Sequence, residues 1–301
     1  MINEYHNPVM LRESLDGLAI ESDSCIVDVT FGGGGHSRAI LDELGEEGLL
    51  LAFDQDNDAI ANQWDDERLL FAPGNFRFLI NFVKFFDVLP VDAVLADLGV
   101  SSHQFDVPER GFSIRNSGRL DMRMNQDAQI TAEYVVNRYG EQDLYRIFNL
   151  YADIKIVHKL VKTLVLKRRE KAIETTGDLV AVLESIAPPK KQNQFFAQVF
   201  QAIRIEVNDE MGALRDMLYQ SAKVIRSGGR LVVISYHSIE DRMVKNFIRT
   251  GNVEGKEEKD VFGQTNAPFK AITKKPLIPT EKEIEENPRA RSAKLRVAER
   301  V

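Results

Sequence analysis

The sequence predicts an α/β protein built on a doubly wound, mostly parallel sheet, with a block of helices inserted into it. Three observations carry this expectation. Short apolar runs rich in β-branched residues (25–29, 49–53, 93–98 and 230–235) have the continuous apolar character of strands buried on both faces. Stretches of helical periodicity alternate with these runs, as in βαβ units. From about Phe105 to Asn208 the alternation stops and only helical patterns remain.

CIVDV at 25–29 is the first strand and ends at a glycine cluster. A helix follows from about Ser37, with Ile40, Leu41 and Leu44 on one face. Leu49–Phe53 is the second strand, closed by Asp54. Asp56 suits the N-cap of the next helix, which carries Ile60 and Trp64. Leu69–Ala72 is the third strand, Phe76–Phe86 an aromatic-rich helix, and Ala93–Leu98 the fourth strand. Helices are expected over 132–137, 142–150, 154–171, 176–186 and 194–205, with a start at Thr176-Gly177-Asp178 and a break at Pro188-Pro189. After an amphipathic stretch over 210–225, Ser227-Gly228-Gly229 reads as a turn and Arg230–Ser235 as the fifth buried strand. Ser238–Ile248 is helical, 252–260 a polar loop, and 293–301 a final strand. The expected organisation is a discontinuous core of residues 1–104 and 209–301 around a helical insert, 105–208.

A formal net charge of −7 argues mildly against a polyanionic partner, although local basic patches decide that question. The single cysteine, Cys25, rules out an intramolecular disulfide and cysteine-rich zinc modules. The scattered histidines show no ligand spacing, so no metal is expected. No apolar run approaches the roughly 20 residues of a membrane span, and MINEYHNPVML has no secretory pattern. A cytoplasmic location is the expectation.

The chemistry concentrates at the strand ends. Asp28-Val-Thr-Phe-Gly32-Gly33-Gly34-Gly35-His36 sits where the first strand turns into the first helix, the position where open α/β sheets bind ligands. The G-x-G-x-x-G dinucleotide pattern fails, because its third glycine falls on Ser37 or Arg38. An acid before the glycines suits a cationic ligand, and S-adenosylmethionine carries both a sulfonium and an ammonium; Asp28 is a candidate to hold its amino-acid end. Asp54 closes the second strand, where an acid accepts ribose hydroxyls. Asp97 closes the fourth and is a candidate to accept hydrogen bonds from an amine undergoing methylation. The alternative amine-methylating motif, Asn/Asp-Pro-Pro-Tyr, is absent. Cys25 lies inside a strand and reads as a core residue, which argues against cysteine-dependent methylation of a pyrimidine carbon.

These residues belong to longer motifs: YHNPVML at 5–11, DVTFGGGGHS at 28–37, DQD at 54–56, DLGVSSHQ at 97–104, ERGFSIRNSGRLDMRM at 109–124, QAIRIEVNDE at 201–210, GGRLVVISYHSIEDR at 228–242 and NPRARSAKLR at 287–296. Through them the chain resembles, nearly end to end, the bacterial ribosomal RNA small subunit methyltransferase H family, also called MraW. The resemblance implies a class I S-adenosylmethionine methyltransferase fold, Rossmann-like and doubly wound, with an inserted all-helical domain. It implies N4-methylation of a cytidine in the decoding centre of 16S rRNA, so that S-adenosylmethionine is the cofactor and the small ribosomal subunit the partner. It also implies cofactor contacts from Gly34, Gly35, His36, Asp54, Phe76, Asp97 and Gln104. The chain departs from the family at His103, Ile114, Arg119 and Tyr236, the last standing where phenylalanine is common.

Candidate RNA contacts are Arg110, Arg115 and Arg123 after the fourth strand, and Lys155, Lys159, Lys162 and Arg168 in the insert. The three lysines share one face of a continuous helix through i, i+4, i+7 spacing. Solvated helix faces carry the same pattern. Tyr236 is a candidate to stack on a flipped base. Competing readings are an NAD-dependent oxidoreductase, disfavoured by the broken dinucleotide pattern, and a non-catalytic RNA-binding assembly factor.

Overall fold

The structure, a computed structural model, describes residues 8–257 and 267–301. Tyr5, His6 and Asn7 of the N-terminal motif lie outside the described residues, as do positions 258–260 of the expected loop. The helices and strands, in chain order, are α1 (Leu11–Leu18), β1 (Cys25–Asp28), α2 (Gly35–Glu43), β2 (Leu49–Asp54), α3 (Asn57–Ile60), β3 (Leu69–Pro73), α4 (Leu79–Phe85), β4 (Val91–Asp97), α5 (Ser102–Asp106), α6 (Ala132–Arg138), α7 (Glu141–Tyr151), α8 (Val157–Glu170), α9 (Thr176–Glu184), α10 (Gln192–Asn208), α11 (Glu210–Val224), β5 (Ile225–Ser235), α12 (Ser238–Thr250), β6 (Phe269–Ala271), α13 (Glu281–Glu286) and β7 (Lys294–Arg300). They fall into two compact units, Met1–Gly99 with Met211–Val301, and Val100–Glu210. The divisions follow Gly99 and Glu210, where the sequence places them after 104 and 208.

In the first unit the sheet order is β3-β2-β1-β4-β5-β7-β6. β1 to β5 run parallel, β7 is antiparallel to β5, and β6 is antiparallel to β7. This is the doubly wound class I arrangement. The chain winds outward from β1 to β3, then returns to β4 on the other side of β1. The reversal between β1 and β4 opens a crevice at the strands' carboxyl ends, where such sheets bind ligands. Ile26, Leu50, Ala93, Leu95, Val232 and Ile234 pack with Ile40 and Leu41 of α2 and with Leu295 and Val297 of β7 in one buried cluster.

Several elements differ from the expectation, the short helices α5 and α13 among them. α1 is an addition to it; the helix is eight residues long, too short for its Leu11, Leu15 and Leu18 spacing to stand out. β6 has three residues and pairs only with β7, so its partner defines it rather than its own pattern. The expected turn at 227–229 lies within β5: Gly228 takes a positive φ of 80°, and the pairing shifts register opposite Val91 and Ala93.

The second unit has its own core. α7 contributes Leu144, Ile147 and Phe148, and α8 contributes Val157, Leu160, Val161, Leu164 and Val165, both at helical spacing. α9 starts one residue beyond its cap, Thr175, whose hydroxyl accepts from the Asp178 N–H while the Asp178 carboxylate accepts from the Thr175 N–H. The irregular segment before α6 is held by side chains. Asn208 donates to the Met122 carbonyl at 2.8 Å and accepts from the Met124 N–H at 2.7 Å, fixing Met122 in a left-handed conformation.

Candidate active site

The loop after β1 is built from within. Asp28 is fully buried; its Oδ2 accepts from Ser37 Oγ at 2.7 Å and its Oδ1 from the Thr30 N–H at 2.9 Å. This corrects the reading of Asp28 as a cofactor ligand, because its carboxylate pins the loop to the start of α2. Thr30 Oγ1 also accepts from the Asp97 N–H at 2.7 Å, tying the tip of β1 to the tip of β4. Sequence reasoning missed these roles of Thr30 and Ser37. Their only local signal is a hydroxyl residue two positions after a strand-end acid and another near the start of the helix.

The glycines serve different purposes. Gly34 has φ 75°, and a Cβ there would lie 2.5 Å from the Trp64 ring. A Cβ on Gly35 would lie 2.4 Å from Pro8 Cγ. Both therefore lack side chains because protein packs on them. Trp64 in turn stacks on Phe31 and carries the Arg38 guanidinium 4.0 Å above its ring. Gly32 is different: its φ is 54° and a Cβ would meet nothing closer than 3.9 Å. Among these three, Gly32 is the one that faces open space, where a ligand can approach the backbone.

Asp54, at the tip of β2, accepts from the Gly32 N–H at 2.8 Å and the Asp56 N–H at 2.9 Å. Burial pushes its carboxyl up to about 6, against the opposing pull of those backbone hydrogen bonds. Asp56 is the N-cap of α3, as its position predicts. Phe76 is half-buried beside the tip of β3, in a short turn capped by Asn75, whose amide reaches Gln55 at 2.9 Å.

At the tip of β4, Asp97 Oδ1 accepts from the Tyr236 hydroxyl at 2.7 Å, and Oδ2 lies 3.8 Å from His36 Nδ1. His36 is buried, and its Nε2 donates to the Val9 carbonyl at 3.1 Å. Burial raises the Asp97 carboxyl to about 6, while His36 and the Tyr236 hydrogen bond pull it down. Tyr236 lies far above its ordinary value, through burial and then the Asp97 charge, so its hydroxyl stays protonated. Tyr236, a candidate stacking residue from its sequence position, is tied by its hydroxyl to Asp97.

These features suit S-adenosylmethionine. The buried carboxylate of Asp54 is one that hydroxyl donors such as those of a ribose would stabilise. Gly32 leaves a cradle that a Cβ would fill. The acids at 54 and 97 favour a cation over a pyrophosphate. Cys25, at the opposite end of β1, has its thiol pushed up to about 11 by burial and then by Asp92. It is no nucleophile at neutral pH.

Within the second unit, Gln104 is buried and closes a capping box with Ser101 at the start of α5. Arg110 is buried and donates to the carbonyls of Arg123 and Met124 at 2.9 and 3.3 Å. Arg123 grips both carboxylate oxygens of Asp121 and donates to the Gln126 and Ala128 carbonyls at 2.7 and 2.6 Å. Both guanidinium groups hold the segment's fold, which corrects their reading as phosphate ligands. Arg168 likewise donates to the Val136 carbonyl at 2.8 Å. Arg115 is exposed, as are Lys155, Lys159 and Lys162. Lys155 precedes α8, so the continuous helical stripe shrinks to Lys159 and Lys162, with Lys155 in the turn before it. No described helix is long and apolar enough to cross a membrane.

The sequence profile described as the MraW methylase family matches residues 3–301. Proteins called ribosomal RNA small subunit methyltransferase H are similar throughout. The Parabacteroides distasonis protein is 55% identical over 99% of this chain and 98% of its own length. The Bacteroides thetaiotaomicron protein is 53% identical over 98% of this chain and 97% of its own length. The Flavobacterium johnsoniae protein is also 53% identical, over 99% and 98%.

Proposed function

Because the chain belongs to the MraW methylase family, we propose that it methylates N4 of a cytidine in the decoding centre of 16S ribosomal RNA. The methyl comes from S-adenosylmethionine by direct transfer. The observation that carries the chemistry is the buried Asp97 carboxylate at the tip of β4, anchored by Tyr236 and raised to about 6.

The exocyclic amine of cytosine is a poor nucleophile, since its lone pair is delocalised into the ring. Bound S-adenosylmethionine supplies an electrophilic methyl group on a sulfonium. The chain has to hold the amine in line with it and draw on the amine's N–H. Asp97 is suited to this role, because its raised pKa leaves it ionised at neutral pH yet more basic than an ordinary carboxylate. Thr30 fixes its backbone, and Asp54 would hold the ribose of the bound cofactor. With Cys25 inert, no covalent enzyme–base intermediate is invoked.

The target assignment rests on the resemblance and on the relatives' names. It is tested by mass mapping of 16S rRNA nucleosides from cells with and without this protein, beside thermal shifts with S-adenosylhomocysteine and NAD. Loss of an N4-methylcytidine and stabilisation by S-adenosylhomocysteine alone are expected. Stabilisation by NAD alone would favour an oxidoreductase. RNA binding without transfer of a labelled methyl would favour an assembly factor.

Lys155, Lys159 and Lys162, with Arg115, are proposed as phosphate contacts. Changing the three lysines together to glutamate should weaken RNA binding. It should also flatten the slope of log affinity against log salt by about 2, since each single-strand phosphate contact contributes about 0.7. An unchanged slope would return α8 to an ordinary solvated face.

A further inference from the structure

We propose that Tyr236 is a positioning residue for methyl transfer: its hydroxyl locks the Asp97 carboxylate through Oδ1 and leaves Oδ2 as the oxygen that accepts the amine N–H. The proposal deepens, and rests on, the reading of Asp97 as that acceptor, and it concerns this chain in particular, since phenylalanine is common at position 236 in the family and carries no hydroxyl to lock the carboxylate.

The geometry is specific. The aspartate side-chain torsion at its carboxylate is broad and roughly two-fold, so a carboxylate fixed only at its backbone turns easily. At Asp97 the backbone is held by Thr30, which accepts from its N–H at 2.7 Å. The carboxylate itself is held at Oδ1 by the phenol, also at 2.7 Å. Among the described residues, Oδ2 has only the imidazole of His36, whose Nδ1 at 3.8 Å is beyond hydrogen-bond distance. Oδ1 is therefore committed and Oδ2 is not.

Tyr236 is held in turn. Its N–H donates to Glu240 Oε2 at 2.9 Å, and Glu240 is the third helical residue of the capping box that starts α12 at His237. The ring closes over Gly99, where a Cβ would stand 3.5 Å from it. A path thus runs from the α12 cap through Tyr236 to the working carboxylate.

The charges around the pair set the direction of the effect. Asp97 faces His36 of α2, Asp28 of β1, and Tyr236 and Glu240 from the β5–α12 corner. Tyr236 is also influenced by Glu283 of α13. Asp28 and Glu240 favour protonation of Asp97, whereas His36 and the phenol oppose it. Removing the phenol leaves His36 alone against two acids and burial.

The test compares the full-length chain with Tyr236→Phe, which keeps the ring. Carboxyl-carbon NMR of chain labelled in aspartate, with Asp97 assigned by its loss in Asp97→Asn, follows the carboxylate without requiring turnover. Methyl transfer from labelled S-adenosylmethionine to small ribosomal subunits from cells lacking this protein is measured across pH. In Tyr236→Phe the Asp97 midpoint should rise by about one pH unit, the proton-affinity equivalent of a hydrogen bond to a charged acceptor. The acid limb of kcat should move with it, and plateau kcat should fall about tenfold with KM for S-adenosylmethionine unchanged. An unmoved Asp97 midpoint, or a midpoint shift with an unchanged kcat profile, would overturn the proposal. If the wild-type chain transfers no methyl while the midpoint still moves, the methyl-transfer reading fails and the phenol's hold on Asp97 stands.

Discussion

Asp97→Asn is expected to lower methyl transfer by about 10²–10⁴-fold, the range spanned by a single positioned proton acceptor. The amide has nearly the shape of the carboxylate but carries no charge. It also places an NH₂ group where one carboxylate oxygen stood, facing either the Tyr236 hydroxyl or the substrate amine. Either arrangement costs an acceptor. Asp54 and Gly32 lie at the tip of β2 and in the loop after β1 and are joined to each other at 2.8 Å, so their interaction is untouched. S-adenosylhomocysteine should therefore keep the contacts of Asp54 and Gly32 and lose at most the one that the resemblance implies for Asp97, a far smaller loss than that in transfer. Calorimetric titration and single-turnover transfer would separate these effects. Transfer within a few-fold of wild type would remove Asp97 from the chemistry.

Gly118→Ala should destabilise the helical unit by about 4 kcal/mol or more, a size reserved for a few drastic causes. A Cβ at Gly118 would lie 1.8 Å from the Pro108 carbonyl oxygen and 2.4 Å from its carbon. Both are backbone atoms, so no rotamer change relieves the overlap. The segment has little freedom to retreat. The Gly118 N–H donates to Thr176 Oγ1 at 3.1 Å, its carbonyl accepts from the Thr176 N–H at 2.9 Å, and Leu120 donates to the Glu174 carbonyl at 2.9 Å. Moving Gly118 breaks the stitching that seats α9. Gly228→Ala is the control: φ is 80° but nothing lies within 4 Å, so the cost is backbone strain of about 1–2 kcal/mol. Denaturant unfolding of both variants checks the contrast. Equal, small losses would show that the Pro108 turn yields.

Much of the candidate site is legible in the chain before folding. Asp54 and Asp97 each follow an apolar run that can only be a buried strand, and a strand's last residue lies at the carboxyl edge whichever way the sheet is assembled. Asp56 is readable as a cap because capping spans three residues. The arginines are not readable. Arg110, Arg115 and Arg123 look alike in sequence, yet two spend their guanidinium groups on nearby carbonyls and on Asp121, while Arg115 is exposed. The glycines mislead for a related reason: a residue without a side chain marks a close approach but not what approaches, which at Gly35 is Pro8.

Periodicity and strand termini thus settled, from the amino acids alone, the doubly wound class, the interrupted sheet and the acids at its edge, because each is a property of a few neighbouring residues. Folding decided which charges remain available and how the acids are tuned. Tyr236 meets Asp97 across 139 positions, and Thr30 meets it across 67. A hydrogen-bond partner at such separation depends on where two strand ends stop in space, and no spacing rule along the chain encodes that.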